Sequence, residues 1–272
     1  YRGDCILKLG IAGFGAIGNV VAKAVVRELD GINIVVISVR DAEKAKRSMT
    51  FLTHEVPVLS PDELAEASDV VVECVPKAAF MDFAIPALTR GRLFVTVSGA
   101  GILANPDVVE IAKKNNGKIV LATGALLGLD AVRAAAEGQI NEIRMVTRKP
   151  PNALKGAPHL IENNISVDGL NAAKKVFDGT AAQGAIGFPA NVNVAAALGL
   201  AGIGADQTKL EIWADPQLTR NTHTIKVDAD SARFEMTIEN VQTEENPGTG
   251  KITALSVIAC LRRLINPISV GT

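Results

Sequence analysis

The sequence predicts an α/β protein in two parts, and three observations predict it. Short, continuously apolar segments alternate with amphipathic ones through the first half, a glycine-rich loop follows the first apolar segment, and after about residue 126 the segments lengthen and alternate apolar with polar residues. Apolar strands separated by helices imply a parallel sheet covered on both faces, the doubly wound arrangement. The later alternation implies an antiparallel or mixed sheet with one face exposed.

In chain order, CILKLGIAG reads as a strand, AIGNVVAKAVVREL as a helix, INIVVISV as a strand, PDELAEAS as a helix and DVVVECV as a strand. AAFMDFAIPALTRG then reads as a helix, LFVTVS as a strand, PDVVEIAKKN as a helix and KIVLATG as the fifth strand. Ser60-Pro61-Asp62-Glu63 has the order of a capping box with proline at the first helical position, and Asn105-Pro106 repeats most of that order. NEIRMVTRKP, KLEIWADP, THTIKVDAD and ARFEMTIENVQ read as the strands of the second part. GKITALSVIACLRRLI has helical periodicity with arginines near its end, where they suit the helix dipole, and it is expected to return to the first part. The expected domains are therefore residues 1–126 with a returning segment of about 247–272, and residues 127–246.

Hydrophobic residues make up 48% of the 272 and charged residues 21%, the balance of a folded globular chain. A net charge of −1 without a long Lys/Arg run gives no electrostatic footprint for nucleic acid. The most apolar long segment, NVAAALGLAGIGAD, is shorter than the roughly 18 apolar residues that suggest a membrane span. Three cysteines without paired spacing argue against a disulfide framework or a zinc site, and no ligand cluster for another metal is visible. With no basic-then-apolar leader, the protein is expected to be cytoplasmic.

Gly13-Phe14-Gly15-Ala16-Ile17-Gly18 is a G-x-G-x-x-G placed after a strand and opening a helix, the context that gives the pattern meaning. Gly13 allows the tight turn, Gly15 lets backbone approach a pyrophosphate, and Gly18 permits close helix–strand packing; the helix start at Ala16 and Ile17 offers N–H groups. This is a Rossmann-type site for a dinucleotide. Ser38 stands near the place where an NAD-specific site would carry an acid, and Arg40 could pair with a 2′-phosphate, so NAD or NADP is the expected cofactor. Loops at Glu73-Cys74-Val75-Pro76 and Ser98-Gly99-Ala100-Gly101 follow later strands of the same sheet and are expected to border it, Cys74 among them. Thr123-Gly124-Ala125 marks the domain junction.

Among three histidines, His54 follows a helix, His159 lies in a GAPHL loop and His223 lies on a strand. His223 is the candidate general acid/base, since imidazole titrates near neutrality.

The segments GFGAIG, ATGALLGLDA, VTRKP, PANVNVAA, Asn221-Thr222-His223 and the late ENPGTG resemble the L-aspartate dehydrogenase family over essentially the whole chain. The resemblance implies a Rossmann domain, a second catalytic and dimerisation domain, and a C-terminal helix that returns to the first. It implies His223 as catalytic acid/base and Ala125 and Asn193 as cofactor contacts. Asn191 of the same segment is a candidate substrate ligand. The implied reaction is the reversible oxidation of L-aspartate to iminoaspartate, which hydrolyses to oxaloacetate and ammonia or feeds NAD biosynthesis. Two substrate carboxylates need cationic partners, for which Arg148 and Lys149 are candidates. A homodimer is expected from the family and from the small-residue segment 194–205, which equally suits a core helix. Gly250 stands where the family often has serine. Homoserine dehydrogenase, dihydrodipicolinate reductase and a non-catalytic NAD(P)-binding sensor share the first domain's features, and the second-domain motifs favour aspartate.

Overall fold

Valine, isoleucine and leucine dominate five short segments that, in the computed structural model, pair in parallel into one sheet: β1 (Leu7–Ala12), β2 (Ile32–Ser38), β3 (Val70–Glu73), β4 (Leu93–Thr96) and β5 (Lys118–Leu121). Residues 6–189, 193–244 and 249–271 are described. The sheet order is β2-β1-β3-β4-β5. A parallel bridge from Ile37 to Val58 extends the β2 edge, so the order becomes the one found in dinucleotide-binding sheets, with its reversal between β1 and β3.

Helices α1 (Ala16–Glu28), α2 (Ala42–Ser48), α3 (Pro61–Ala67), α4 (Phe80–Thr89), α5 (Gly99–Ala104) and α6 (Asp107–Lys114) connect these strands. Two apolar clusters result. One holds Leu9, Ile11, Val21, Val25 and Ile34, and the other holds Leu64, Val71, Phe80, Leu88 and Phe94. Asp41 caps α2 by accepting from the Lys44 N–H, and Ser60 and Glu63 form the capping box read in the sequence.

Two expectations need correction. Asn105 does not cap α6: its amide donates to the Gly101 carbonyl at 2.9 Å, Pro106 occupies the cap and the helix opens at Asp107. Ser98–Gly101 is not an open loop either, because Gly99 begins α5 directly behind Ser98.

Chain tracing and contacts divide the protein into Tyr1–Gly124 with Thr253–Ser269, and Ala125–Ile252 with Val270–Thr272. The last helix, α11 (Lys251–Ile265), gives Val257 and Leu261 to the first unit's core, and its Ser256 hydroxyl accepts the Gly124 N–H at 3.1 Å.

The second unit is built on a mixed sheet of β6 (Ile140–Lys149), β7 (Lys174–Thr180), β8 (Lys209–Ala214), β9 (Asn221–Ala229) and β10 (Arg233–Asn240), ordered β10-β9-β6-β8-β7. Only β6 and β8 run parallel among the described pairs. Helices α7 (Leu129–Ala136), α8 (Pro158–Glu162), α9 (Ala181–Gly187) and α10 (Asn193–Ala201) belong to this unit. Close approach fixes two of their contacts: a Cβ on Gly184 would lie 2.4 Å from Leu210, and one on Gly202, just past α10, 2.3 Å from Ile143. Ala195, Ala196, Ala197 and Leu198 are buried within the chain, so the small-residue segment serves as a core helix. β7 carries no clear polar alternation and escaped the sequence reading.

Leu261 is fully buried in the first unit's core. Leu261→Ala is expected to lower unfolding free energy by about 2–5 kcal/mol, as measured by urea denaturation.

Candidate active site

Backbone geometry explains the three glycines of the loop after β1. Gly13 has φ +88°, and a Cβ there would sit 2.7 Å from the Cys74 carbonyl, so the loop rests on the chain leaving β3. A Cβ on Gly18 would lie 2.1 Å from the Gly13 carbonyl, which forces glycine where α1 crosses the loop. At Gly15 a Cβ would meet nothing within 4 Å, so protein packing does not demand glycine at that position. Gly15 is also the N-cap of α1; no side chain caps it, and the first turn has no acid. Open space at Gly15, where the N–H groups of Ala16 and Ile17 begin α1, fits a dinucleotide pyrophosphate, which the helix dipole favours.

The flanking residues have distinct parts. Ser38 is buried at the end of β2 and its carbonyl accepts the Gly13 N–H at 2.9 Å, so its visible contribution is to hold the loop. Arg40 is exposed beyond it, while the neighbouring Asp41 carboxylate is engaged as the cap of α2. Cys74 contributes backbone: its N–H donates to Ala12 at 2.8 Å, and burial pushes its thiol pKa well up. Glu73, fully buried, accepts from the Thr96 hydroxyl and the Val75 N–H, and burial raises its pKa.

A second constellation lies on one face of the mixed sheet. The side chains of Ile143, Met145, Thr147 and Lys149 alternate inward along β6, as do Asn221, His223, Ile225 and Val227 along β9, and all are buried. Antiparallel register sets Met145 opposite Ile225 and Thr147 opposite His223. The buried face is thus apolar at one end and polar at the other. β10 continues the rows, with Ile238 opposite His223 and Asn240 opposite Asn221.

His223 is 3% exposed, and its Nδ1 lies 3.0 Å from the Thr147 hydroxyl. Burial first, and the Lys149 charge second, push its pKa down to about 3. Burial lowers Lys149 to about 8. At neutral pH the imidazole is therefore uncharged and the lysine still mostly cationic. Asn240 donates from Nδ2 to the Ala125 carbonyl at 3.0 Å, which fixes its amide orientation.

Arg148 is not brought to this cluster. It points to the other face of the sheet, where its guanidinium lies 4.7 Å from the Trp213 ring centroid and 3.4 Å from Asp215. The other histidines also lie elsewhere. His54 is exposed and its Nε2 contacts the Ile34 carbonyl at 3.0 Å; His159 belongs to α8 rather than a loop and packs against Phe177 and Phe188. Asn193 is the exposed first residue of α10, and Asn191 lies outside the described residues. Thr147 and Asn240 were missed from the sequence because each is an ordinary strand residue until pairing sets it beside His223 or Asn221. No group of metal-ligating side chains and no helix long and apolar enough to cross a membrane occurs among the described residues.

A parallel sheet with a glycine loop at its reversal point, joined in one chain to a mixed sheet bearing a buried lysine–histidine pair, defines an NAD(P)-dependent dehydrogenase. The chain is 50% identical to the L-aspartate dehydrogenase of Bradyrhizobium diazoefficiens over 98% of its own length and 94% of the relative's. It belongs to the L-aspartate dehydrogenase family. An L-aspartate dehydrogenase 3 of Bordetella bronchiseptica is 46% identical, with 98% of each chain covered. Residues 130–264 match the family described as aspartate dehydrogenase, C-terminal, and residues 13–122 match homoserine dehydrogenase, NAD binding domain. The crystal structure of aspartate dehydrogenase from Thermotoga maritima shares the fold, with a TM-score of 0.75 at 22% identity over 97% of this chain and 99% of that one.

Two outcomes follow from this geometry. Gly18→Ala is expected to cost about 1–3 kcal/mol of stability from overpacking, whereas Gly15→Ala should leave the melting temperature unchanged and weaken NADH binding, read by fluorescence titration. For His223, the folded pKa of about 3 lies below the ordinary histidine value of 6.5, so the unfolded chain binds more protons between them. The stability it contributes is present above the unfolded pKa and is lost as pH falls, by about 2 kcal/mol on going from pH 6.5 to about 5. Denaturation curves of His223→Gln should be flatter than wild type across that window.

Proposed function

We infer that this chain catalyses the NAD(P)-dependent oxidative deamination of L-aspartate, and we propose that His223 is its acid/base and Lys149 a carboxylate ligand. The observation that carries the residue assignment is the burial of a cationic lysine beside a neutral histidine on one sheet face. The two carboxylates of L-aspartate carry the charge opposite to that lysine.

Gly13, Gly15 and Gly18, with the N–H groups at Ala16 and Ile17, are proposed to hold the cofactor pyrophosphate. Arg40 is the exposed cation offered to a 2′-phosphate, and the resemblance adds Ala125 and Asn193. Bound there, NAD(P)⁺ would supply the hydride acceptor for the Cα hydrogen of L-aspartate.

The chain's own groups handle charge and protons. Thr147 holds Nδ1 of the imidazole, which leaves Nε2 for transfer. Substrate carboxylates near His223 raise its pKa from the low value of the free site toward the working range. His223 then accepts the proton that the α-ammonium must lose, accepts another from the water that adds to the imine carbon, and returns one to the departing ammonia. The products balance as oxaloacetate, ammonium, NAD(P)H and one proton. A homodimer is proposed from the family resemblance alone, since the small-residue segment is used within the unit.

The test is nicotinamide absorbance with L-aspartate and NAD⁺ or NADP⁺ in turn. His223→Ala is expected to lose about 10²–10⁴-fold in kcat while keeping its NADH affinity. Wild-type kcat/KM should fall above pH of about 8 as Lys149 deprotonates, and Lys149→Arg, which does not deprotonate, should remove that limb. Retained turnover in His223→Ala would reject the assignment.

A further inference from the structure

Among the described residues, two amide oxygens in the second unit are buried without a hydrogen-bond partner: Oδ1 of Asn221 and Oδ1 of Asn240. The residues are 9% and 4% exposed, and they face each other across the β9–β10 pair. Directly opposed residues in an antiparallel pair hold their Cβ atoms about 4.5–5.5 Å apart, so the two amides occupy one small region. That region adjoins the reacting end of the sheet, because the next inward residue on β9 is His223.

An orphaned buried carbonyl is destabilising, and a fold retains one for a reason. Rotating the Asn240 amide does not remove the cost: its Nδ2 already serves the Ala125 carbonyl, and a flip would set two oxygens against each other. Gly250 adds a further observation. A Cβ there would lie 3.1 Å from Asn240 Oδ1, so the missing side chain keeps that oxygen's surroundings clear.

An amide oxygen only accepts, so the group that completes this pair is a donor with at least two N–H or O–H bonds. Carboxylates, which belong with Lys149, are excluded by the same logic. On the L-aspartate reading, on which this inference rests, the substrate has one such group. We propose that Asn221 and Asn240 form the acceptor pair for the substrate nitrogen, receiving the N–H bonds of the amine, of the imine formed from it and of incoming ammonia. The pair is a specificity device. It rewards nitrogen with two or more hydrogens, and it opposes the lone pairs of a keto oxygen, so oxaloacetate itself is a poor hydride acceptor until ammonia has joined it.

The experiment is reductive amination by wild type, Asn221→Leu and Asn240→Ala, with oxaloacetate, ammonium chloride and NADH or NADPH varied in turn. Leucine removes the orphan acceptor at similar volume, so Asn221→Leu should melt no lower than wild type; a structural amide would give the opposite result. Loss of a hydrogen bond to a charged donor predicts that the ammonium KM rises about tenfold or more, with oxaloacetate KM and reduced-cofactor affinity within about twofold. Succinate, the same diacid without nitrogen, should inhibit wild type and variants equally. An ammonium KM within about twofold of wild type in both variants overturns the proposal, as does a rise matched by equal losses for succinate and cofactor. A wild type that turns over neither aspartate nor oxaloacetate with ammonium overturns the underlying reading, and the pair's assignment with it.

Discussion

The register between β6 and β9 is the constraint on which the rest of the second unit depends. With Thr147 opposite His223, every inward side chain of both strands falls on one face: apolar residues at one end, and Thr147, Lys149, Asn221 and His223 at the other. A slip of one residue by either strand would turn that strand's set outward, bringing Arg148 inward on β6 or Thr222 and Thr224 inward on β9. The apolar end opposes either slip, since Ile143 with Met145, or Ile225 with Val227, would lose their burial together. Hydrophobic packing thus holds polar chemistry in place without touching it.

The polar end is the costly part of that arrangement. Burial alone lowers Lys149, and burial with the lysine charge lowers His223, so the lysine makes the histidine harder to ionise. On the proposed assignment, a substrate carrying two carboxylates opposes this effect and raises both pKa values. On the same assignment, the groups whose ionisation burial makes costly are those the reaction uses, which is the expected relation between a preorganised site and the fold that supports it.

Much of the first unit was legible in the sequence because its signals are local. The glycine loop, the capping box at Ser60 and the apolar strands each declare themselves within a few residues. Where local signals compete, the reading failed: Asn105 had a nearer acceptor at Gly101, and Ser98–Gly101, read as a loop by its glycines, opens a helix. In the second unit His223 was legible as a rare titratable residue on a strand, and Lys149 as one of two adjacent cations. Sequence could not choose between Arg148 and Lys149, since neighbours on a strand point to opposite faces and only pairing reveals which face is inner. Thr147, Asn240 and the partnership of Asn221 had no local signal.

By itself, then, the sequence determined the class of fold, the glycine loop with its three differently constrained glycines, the capping of α3, the family and the candidate histidine, because these follow from chain-local sterics, periodicity and residue chemistry. Tertiary structure alone decided which cation joins that histidine, how its ionisation is displaced, and which two amides are left with oxygens to offer. Those properties arise from burial and from strands more than seventy residues apart in the chain, as Thr147 and His223 are. Desolvation and cross-strand register exist only once the sheet has closed.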